Sequence, residues 1–291
     1  GSLITTVFGD SIAPRGGTLW LGSLINTMAD FGISERLVRT SVFRLVKDGW
    51  LQSRQIGRRS YYSLTDDGRE RFEQATHRIY GEPVANWDGK WCLLLLAGLD
   101  TAAKDTVRKE CGWLGFGQMS ADVLAHPSPD LADLDVTIRR LGVDGSLVVI
   151  EGQTIRNEGA MRDLARSSWN LDEIDARYAE FVQRFRPVFK ALSGKAQVTE
   201  KSAFLIRTLL IHENRKVLLR DPWLPAELLP PGWHGAAAYQ LCRNLSRAVQ
   251  AQSDAYLDHM METAEGPLPP PSQAFMQRFG GLGQAGKVNN G

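Results

Sequence analysis

A row of side chains spaced at helical intervals has the chemistry to grip nucleic acid: Arg36, Arg39, Thr40, Arg44 and Lys47. Two more cations, Arg58 and Arg59, follow at a Gly57-Arg58-Arg59 turn. A guanidinium can chelate guanine O6 and N7, whereas a lysine meets phosphate as a point charge. Arginines at a hairpin tip can enter a minor groove or brace the backbone. Between Ser34 and Tyr62 seven cations face only Glu35 and Asp48, a local +5 on a chain whose formal net charge is +1. Such a patch on a near-neutral protein suits a DNA-binding module attached to other domains. The alternative is a solvated charged helix face.

A second concentration gathers His212, Glu213, Arg215, Lys216, Arg220, Asp221, Trp223, Trp233 and His234. His212-Glu213 lacks the second histidine of a zinc-binding HExxH, so a metalloprotease is excluded. Asp100 follows an apolar run, where a nuclease could place a metal-binding carboxylate. It has no acidic or histidine partner at a useful spacing, and it reads better as a helix N-cap. No nucleophile elbow, Walker loop or dinucleotide glycine motif is present. The expectation is therefore a non-enzyme with no catalytic residue, no metal site and no resident cofactor.

The basic row needs a helix to carry it. Over Ser34 to Gly49, Val38, Ser41, Val42 and Leu45 share one face at about 100° per residue. Arg36, Thr40, Phe43 and Lys47 fall opposite, with Arg39 and Arg44 on the flanks. Ser34 suits the N-cap, and Gly49 the left-handed C-terminal position. Upstream, Leu3–Ile12 and Leu19–Phe31 are helical patterns separated by Pro14-Arg15-Gly16-Gly17. Downstream, Trp50-Leu51 and Tyr61–Leu64 alternate as strands around a turn at Ile56–Arg59. The order is that of a helix-turn-helix with a wing. Phe43 is awkward on the outer face: it could contact a thymine methyl, but packing against the wing or first helix is expected of it. Thr65 caps a charged helix, Asp66–Tyr80, and Gly81–Asp88 is a linker.

At 291 residues the chain can hold two or three domains. Lys90–Leu99 reads as a buried strand and the stretch to Cys111 as a helix. Phe116–Leu124, Leu131–Leu141 and Leu147–Glu151 continue as strand, helix and strand, a ferredoxin-like βαββαβ fragment. From Asn157 onward helices dominate: Ala160–Ser167, Leu171–Leu192, Glu200–Arg215 and Gly235–Glu262. A segment rich in proline and tryptophan, Arg220–Gly235, interrupts them and could wall a pocket. The tail from Gly266 is rich in proline and glycine and is expected to be disordered. Cys92, Cys111 and Cys242 are odd in number and widely spaced, which points to buried thiols in a reducing cytoplasm. The longest apolar run, Trp91–Leu99, is too short to span a bilayer. No signal peptide is expected, and Gly1-Ser2 reads as the scar of a cleaved tag.

Three stretches together resemble one family. They are Phe8-Gly9-Asp10 with Trp20-Leu21-Gly22-Ser23-Leu24-Ile25; Val38-Arg39-Thr40 with Arg44–Leu51 and Gly57–Tyr62; and His212-Glu213 and Arg215 with Asp221–Pro230 and Trp233. The chain looks like the PaaX-type repressors of phenylacetic acid degradation operons, over residues 3 to about 262. Asn214 departs from the pattern, which has an aromatic residue there. The resemblance implies an α+β multidomain fold: an N-terminal winged helix-turn-helix, a central ferredoxin-like (Cas2-like) domain and a helical C-terminal domain. The expected limits are 1–82 for DNA binding, 88–155 for dimerisation, 156–265 for ligand sensing and 266–291 for the tail. It also implies a cytoplasmic homodimer with no membrane association that binds double-stranded operator DNA. An aryl-acyl-coenzyme A such as phenylacetyl-coenzyme A then acts as the effector that releases it. A coenzyme A thioester needs cations for its phosphates and an apolar slot for its acyl group. His212, Arg215, Lys216, Arg220, Trp223 and Trp233 are the candidates, against the alternative of a helix-end salt-bridge cluster. Two other functions remain open: a metal-dependent nuclease on the central domain, and a scaffold whose basic patch meets an acidic partner.

Overall fold

The structure, a computed structural model, describes residues 2–81, 87–194 and 197–282. Helix α1 (Ser2–Val7) continues as a π-helical stretch, Phe8–Ile12, and a 3-10 turn at Ala13–Arg15. Then come β1 (Thr18–Trp20), α2 (Leu21–Ala29), α3 (Glu35–Lys47), β2 (Leu51–Ile56), β3 (Arg59–Leu64) and α4 (Asp66–Tyr80). The next stretch holds β4 (Lys90–Leu95), α5 (Thr101–Trp113), β5 (Gly117–Ser120), β6 (Val123–His126), α6 (Leu131–Leu141) and β7 (Val148–Gln153). Four helices follow: α7 (Glu158–Ser168), α8 (Leu171–Ser193), α9 (Glu200–Leu218) and α10 (Gly235–Met260). The described chain ends with β8 (Glu262–Thr263), β9 (Gly266–Pro267), α11 (Gln273–Met276) and a 3-10 turn at Arg278–Gly280.

Two compact units emerge, with the division falling inside α8. The first contains Gly1–Gly81, Tyr178–Leu219 and Gly235–Gly291; the second contains Glu82–Arg177 and Arg220–His234. This grouping places most of the C-terminal helices with the N-terminal stretch. The reason lies in where the aromatic residues of the C-terminal helices go. Phe204 of α9 and Tyr256 and Leu257 of α10 are buried in one core with Ile4, Phe8, Leu24, Met28, Val38 and Val42. Phe204 lies edge-on to Phe31 at 5.9 Å and stacks on Tyr256 at 4.6 Å. The Tyr256 hydroxyl donates to Asp30 at 2.6 Å, and Lys201 pairs with the same carboxylate.

Within the first unit a three-stranded antiparallel sheet runs β1-β3-β2. Thr18, Leu19 and Trp20 pair with Ser63, Tyr62 and Tyr61, so the helix expected from Leu19 begins instead at Leu21. A β-branched residue followed by a large apolar and an aromatic one suits a half-buried strand. The hairpin register aligns Leu51 with Leu64 and Ile56 with Arg59, leaving Gly57 and Arg58 as the turn. Gly57, at φ +60°, supplies the left-handed residue such a tight turn requires.

The tail differs from expectation over residues 266–282; residues 283–291 lie outside the described residues. Leu268, Phe275, Phe279 and Leu282 are buried, and Ser272 N–H donates to the Pro14 carbonyl at 2.9 Å. Arg278 provides the strongest tie. It pairs with buried Asp10 at 3.0 Å, while Arg207 meets the other Asp10 oxygen at 3.0 Å. The Tyr80 hydroxyl donates to Asp10 at 2.5 Å, and burial pushes that phenol well above its ordinary range. Arg15 extends the network to Asp254 and Asp258 at 3.0 and 2.7 Å. Composition suggested disorder because it counts proline and glycine without seeing these buried partners.

The second unit carries a four-stranded antiparallel sheet ordered β5-β6-β4-β7. Its βαββαβ path is the expected ferredoxin-like one, with the stretch Phe116–Leu124 divided into a hairpin rather than one strand. Leu94, Leu96, Val107, Cys111, Leu124, Leu134 and Ile138 form its core. Cys92, Cys111 and Cys242 are all buried free thiols.

Candidate nucleic-acid interface

Helix α3 presents two chemically distinct faces. Val38, Ser41 and Val42 are buried, whereas Arg36, Arg39, Thr40, Phe43, Arg44 and Lys47 are exposed. Ser34 occupies the N-cap, but its hydroxyl makes no cap bond; its carbonyl accepts from Leu37 and Val38 N–H at 3.0 Å each. Gly49, at φ +75°, ends the helix as expected. Thr65 then fixes the exit. Its hydroxyl donates to the Gly49 carbonyl at 2.6 Å and accepts from Gly68 N–H at 2.9 Å, which caps α4. One side chain thus ties the end of α3 to the start of α4. Trp50, packed edge-on to Phe72 at 5.2 Å, reinforces the same corner.

The seven residues expected to meet DNA are not equivalent. Arg39 is engaged with Glu35, one turn earlier, at 2.7 Å. Thr40 donates its hydroxyl to the Arg36 carbonyl at 2.8 Å. Arg59 is held back from the hairpin tip: its guanidinium lies 4.3 Å over the Trp20 ring and pairs with Glu262 at 2.6 Å. Arg58 occupies the turn and is exposed. Both Arg39 and Arg59 sit in exposed ion pairs, which contribute little stability and exchange readily for phosphate. Phe43 is 68 % exposed, which corrects the expectation that it packs against the wing or first helix. The core behind α3 contains Val38, Val42 and Leu51, and the ring is not part of it. Leu37 on the same helix is also exposed, at 48 %.

The second group divides between the units. His212, Arg215 and Lys216 belong to the first, and Arg220, Trp223 and Trp233 to the second. His212 is buried; its Nδ1 lies 2.9 Å from the Thr6 hydroxyl, and burial, with Lys216 nearby, pushes its pKa down. Arg215 also donates to Thr6, at 3.2 Å, and burial lowers its pKa. Lys216 pairs with Glu213 at 2.6 Å, and Arg184 meets the same carboxylate at 3.1 Å. In the second unit Trp223 adopts a left-handed backbone (φ +59°), and its N–H donates to Asp221 at 2.7 Å. Arg220 lies 3.9 Å from Glu173. His234 shares Asp175 through its backbone N–H and its ring.

Asp100 accepts from Ala103 N–H at 2.8 Å as the N-cap of α5. Among the described residues no cluster of three or more His, Cys, Asp or Glu could hold a metal ion. No described helix is long and apolar enough to cross a membrane.

Family models match almost the whole chain in three consecutive blocks. Residues 1–68 match the PaaX-like protein, 84–165 the PaaX protein central Cas2-like domain and 169–259 the PaaX-like protein C-terminal domain. The chain belongs to the PaaX-like family. One PaaX relative, the Transcriptional repressor PaaX of Escherichia coli (strain K12), is 43 % identical over 284 residues, covering 97 % of this chain and 90 % of its own length. That relative is a regulator rather than an enzyme. A solved structure, the Uncharacterized protein Rv0674 from Mycobacterium tuberculosis, is 24 % identical, with 81 % of this chain and 90 % of its own covered at a TM-score of 0.49. The Cas2-like match coincides with the β5-β6-β4-β7 sheet, and the C-terminal match with α8, α9 and most of α10.

Proposed function

We propose that the protein is a cytoplasmic transcriptional repressor that binds double-stranded operator DNA through α3 and the β2–β3 hairpin. The observation that carries this reading is the division of α3 into a buried apolar back and an exposed front bearing Arg36, Arg39, Thr40, Arg44 and Lys47. The β1-β3-β2 sheet in the same unit, with Arg58 at the hairpin turn, supports reading this unit as a winged helix. The regulator name of the 43 % identical relative supports the same role. No catalytic step is assigned to the chain.

The active species is a homodimer, because two recognition helices must meet successive major grooves about 34 Å apart. The outer strand β7 of the second unit supports self-association. Val148, Val149 and Ile150 are exposed along an edge whose backbone has no strand partner on one side among the described residues. The regulated genes are those of phenylacetate degradation, and an aryl-acyl-coenzyme A such as phenylacetyl-coenzyme A releases the repressor. The effector need only favour a dimer geometry whose helices no longer match the groove spacing, and its differential affinity for the two geometries sets the induction.

The test is a titration of phenylacetyl-coenzyme A into the complex of this protein with a duplex it has selected from a random pool. Dissociation by the thioester, and not by free coenzyme A, is expected. A complex unaffected by saturating thioester would remove the effector from the account while leaving the DNA reading standing.

A further inference from the structure

Phe43 stands in the middle of the basic front of α3. It is one turn beyond Arg39 and Thr40 and one turn before Lys47, with Arg44 beside it. Its ring is 68 % exposed and has no aromatic or cation–π partner among the described residues. The rest of the helix shows that this is not a failure of core formation. Val38, Ser41 and Val42 already fill the back, and Phe43 lies almost opposite them. Its neighbours are polar or cationic groups whose targets are phosphates, guanine edges and adenine edges. A phenyl ring has none of those interactions to offer. On the major-groove surface of B-DNA the apolar group within reach of such a ring is the thymine C5 methyl.

We propose that Phe43 is a specificity-determining residue that selects thymine by packing its ring against the C5 methyl group. The inference rests on the reading of α3 as the recognition helix and adds to it a base and an atom. Cytosine, with hydrogen at C5, leaves the ring facing water. The flanking Arg39, Arg44 and Lys47 hold the phosphates and fix the register in which that contact is made. Phe43 therefore contributes selectivity more than affinity for DNA in general.

The experiment replaces thymine by deoxyuridine throughout a duplex that the wild-type protein has enriched from a random pool. This removes only the methyl groups and keeps every hydrogen-bonding edge. Binding of both duplexes is measured by fluorescence anisotropy for wild type, Phe43→Ala and Phe43→Leu. Wild type is expected to lose about fourfold in affinity per contacted methyl, the usual worth of one buried methyl group. Phe43→Ala is expected to bind the two duplexes equally, and Phe43→Leu to retain part of the preference. Since the ring is exposed, all three should share one far-UV circular dichroism spectrum. A wild-type protein indifferent to deoxyuridine overturns the proposal alone, as does a Phe43→Ala variant with the wild-type thymine preference. Failure to enrich any duplex overturns the DNA reading and this inference with it.

Discussion

Replacing Asp10 with alanine removes the carboxylate that Arg207 and Arg278 share at 3.0 Å each. All three side chains are essentially solvent-free, so neither guanidinium can recover its hydration without opening the fold. Arg207 keeps a longer contact with Asp254 at 3.4 Å, and Arg278 keeps its stacking over Tyr80 at 3.9 Å. Breaking a buried pair from one side costs about 3–5 kcal/mol, because the surviving charge is left uncompensated. Asp10→Ala is therefore expected to lower stability by about that amount. Arg278→Met leaves Asp10 with Arg207 and Tyr80 and is expected to fall near the lower end of the range. In the double variant the orphaned Arg278 is gone, so the combined loss is smaller than the sum by about 1–3 kcal/mol. Urea unfolding of the four proteins, followed by far-UV circular dichroism, completes the cycle. Additivity within about 0.5 kcal/mol would refute the claim that Asp10 and Arg278 form one buried unit.

Other expectations follow from single contacts. Asp100→Ala removes the α5 N-cap and should cost about 1 kcal/mol of stability while leaving DNA affinity intact; Mg²⁺-dependent DNA cleavage lost in this variant would favour a nuclease instead. His212 is held below its ordinary pKa by burial, so the unfolded chain takes up a proton first as pH falls through about 6.5. The stability it contributes is present above that pH and is lost as pH drops toward the folded value. His212→Asn should flatten the decline of Tm between pH 8 and 5, and an unchanged slope would contradict the buried neutral ring. His259, raised by Glu200, acts with the opposite sign in both proteins. Val149→Lys on β7 should shift sedimentation toward the monomer, and an unaltered dimer would place self-association elsewhere.

The amphipathic period of α3 and the βαββαβ order of the second unit were legible in the sequence because each reports local burial. Gly49, Thr65 and Asp100 were legible for a related reason: turns and caps demand particular residue types at fixed offsets. What sequence did not show depends on contacts between distant segments. Phe204 and Tyr256 lie in separate helical stretches of the sequence, with nothing to indicate a core shared with Phe31 and Ile4. Arg278 lies in a proline- and glycine-rich stretch whose composition conceals its partner Asp10. The candidate ligand group looked continuous between His212 and Trp233 because its members are close in sequence. In the structure His212 and Arg215 both turn to Thr6, and the tryptophans belong to the other unit. Arg59 was matched to DNA by its place beside a hairpin tip, and only the fold reveals its hold on Trp20 and Glu262.

The most direct test of the DNA-reading surface is the salt dependence of binding to a selected duplex, measured for wild type, Arg36→Ala and Arg58→Ala. Each phosphate contact contributes about −0.9 to the slope of log K against log salt. Wild type is expected to show a steep negative slope. Each variant is expected to bind more weakly, with its slope reduced by about one if the lost cation meets a phosphate. A near-zero slope in wild type, or unchanged affinity in both variants, would contradict the assignment of α3 and the hairpin as the surface that meets DNA.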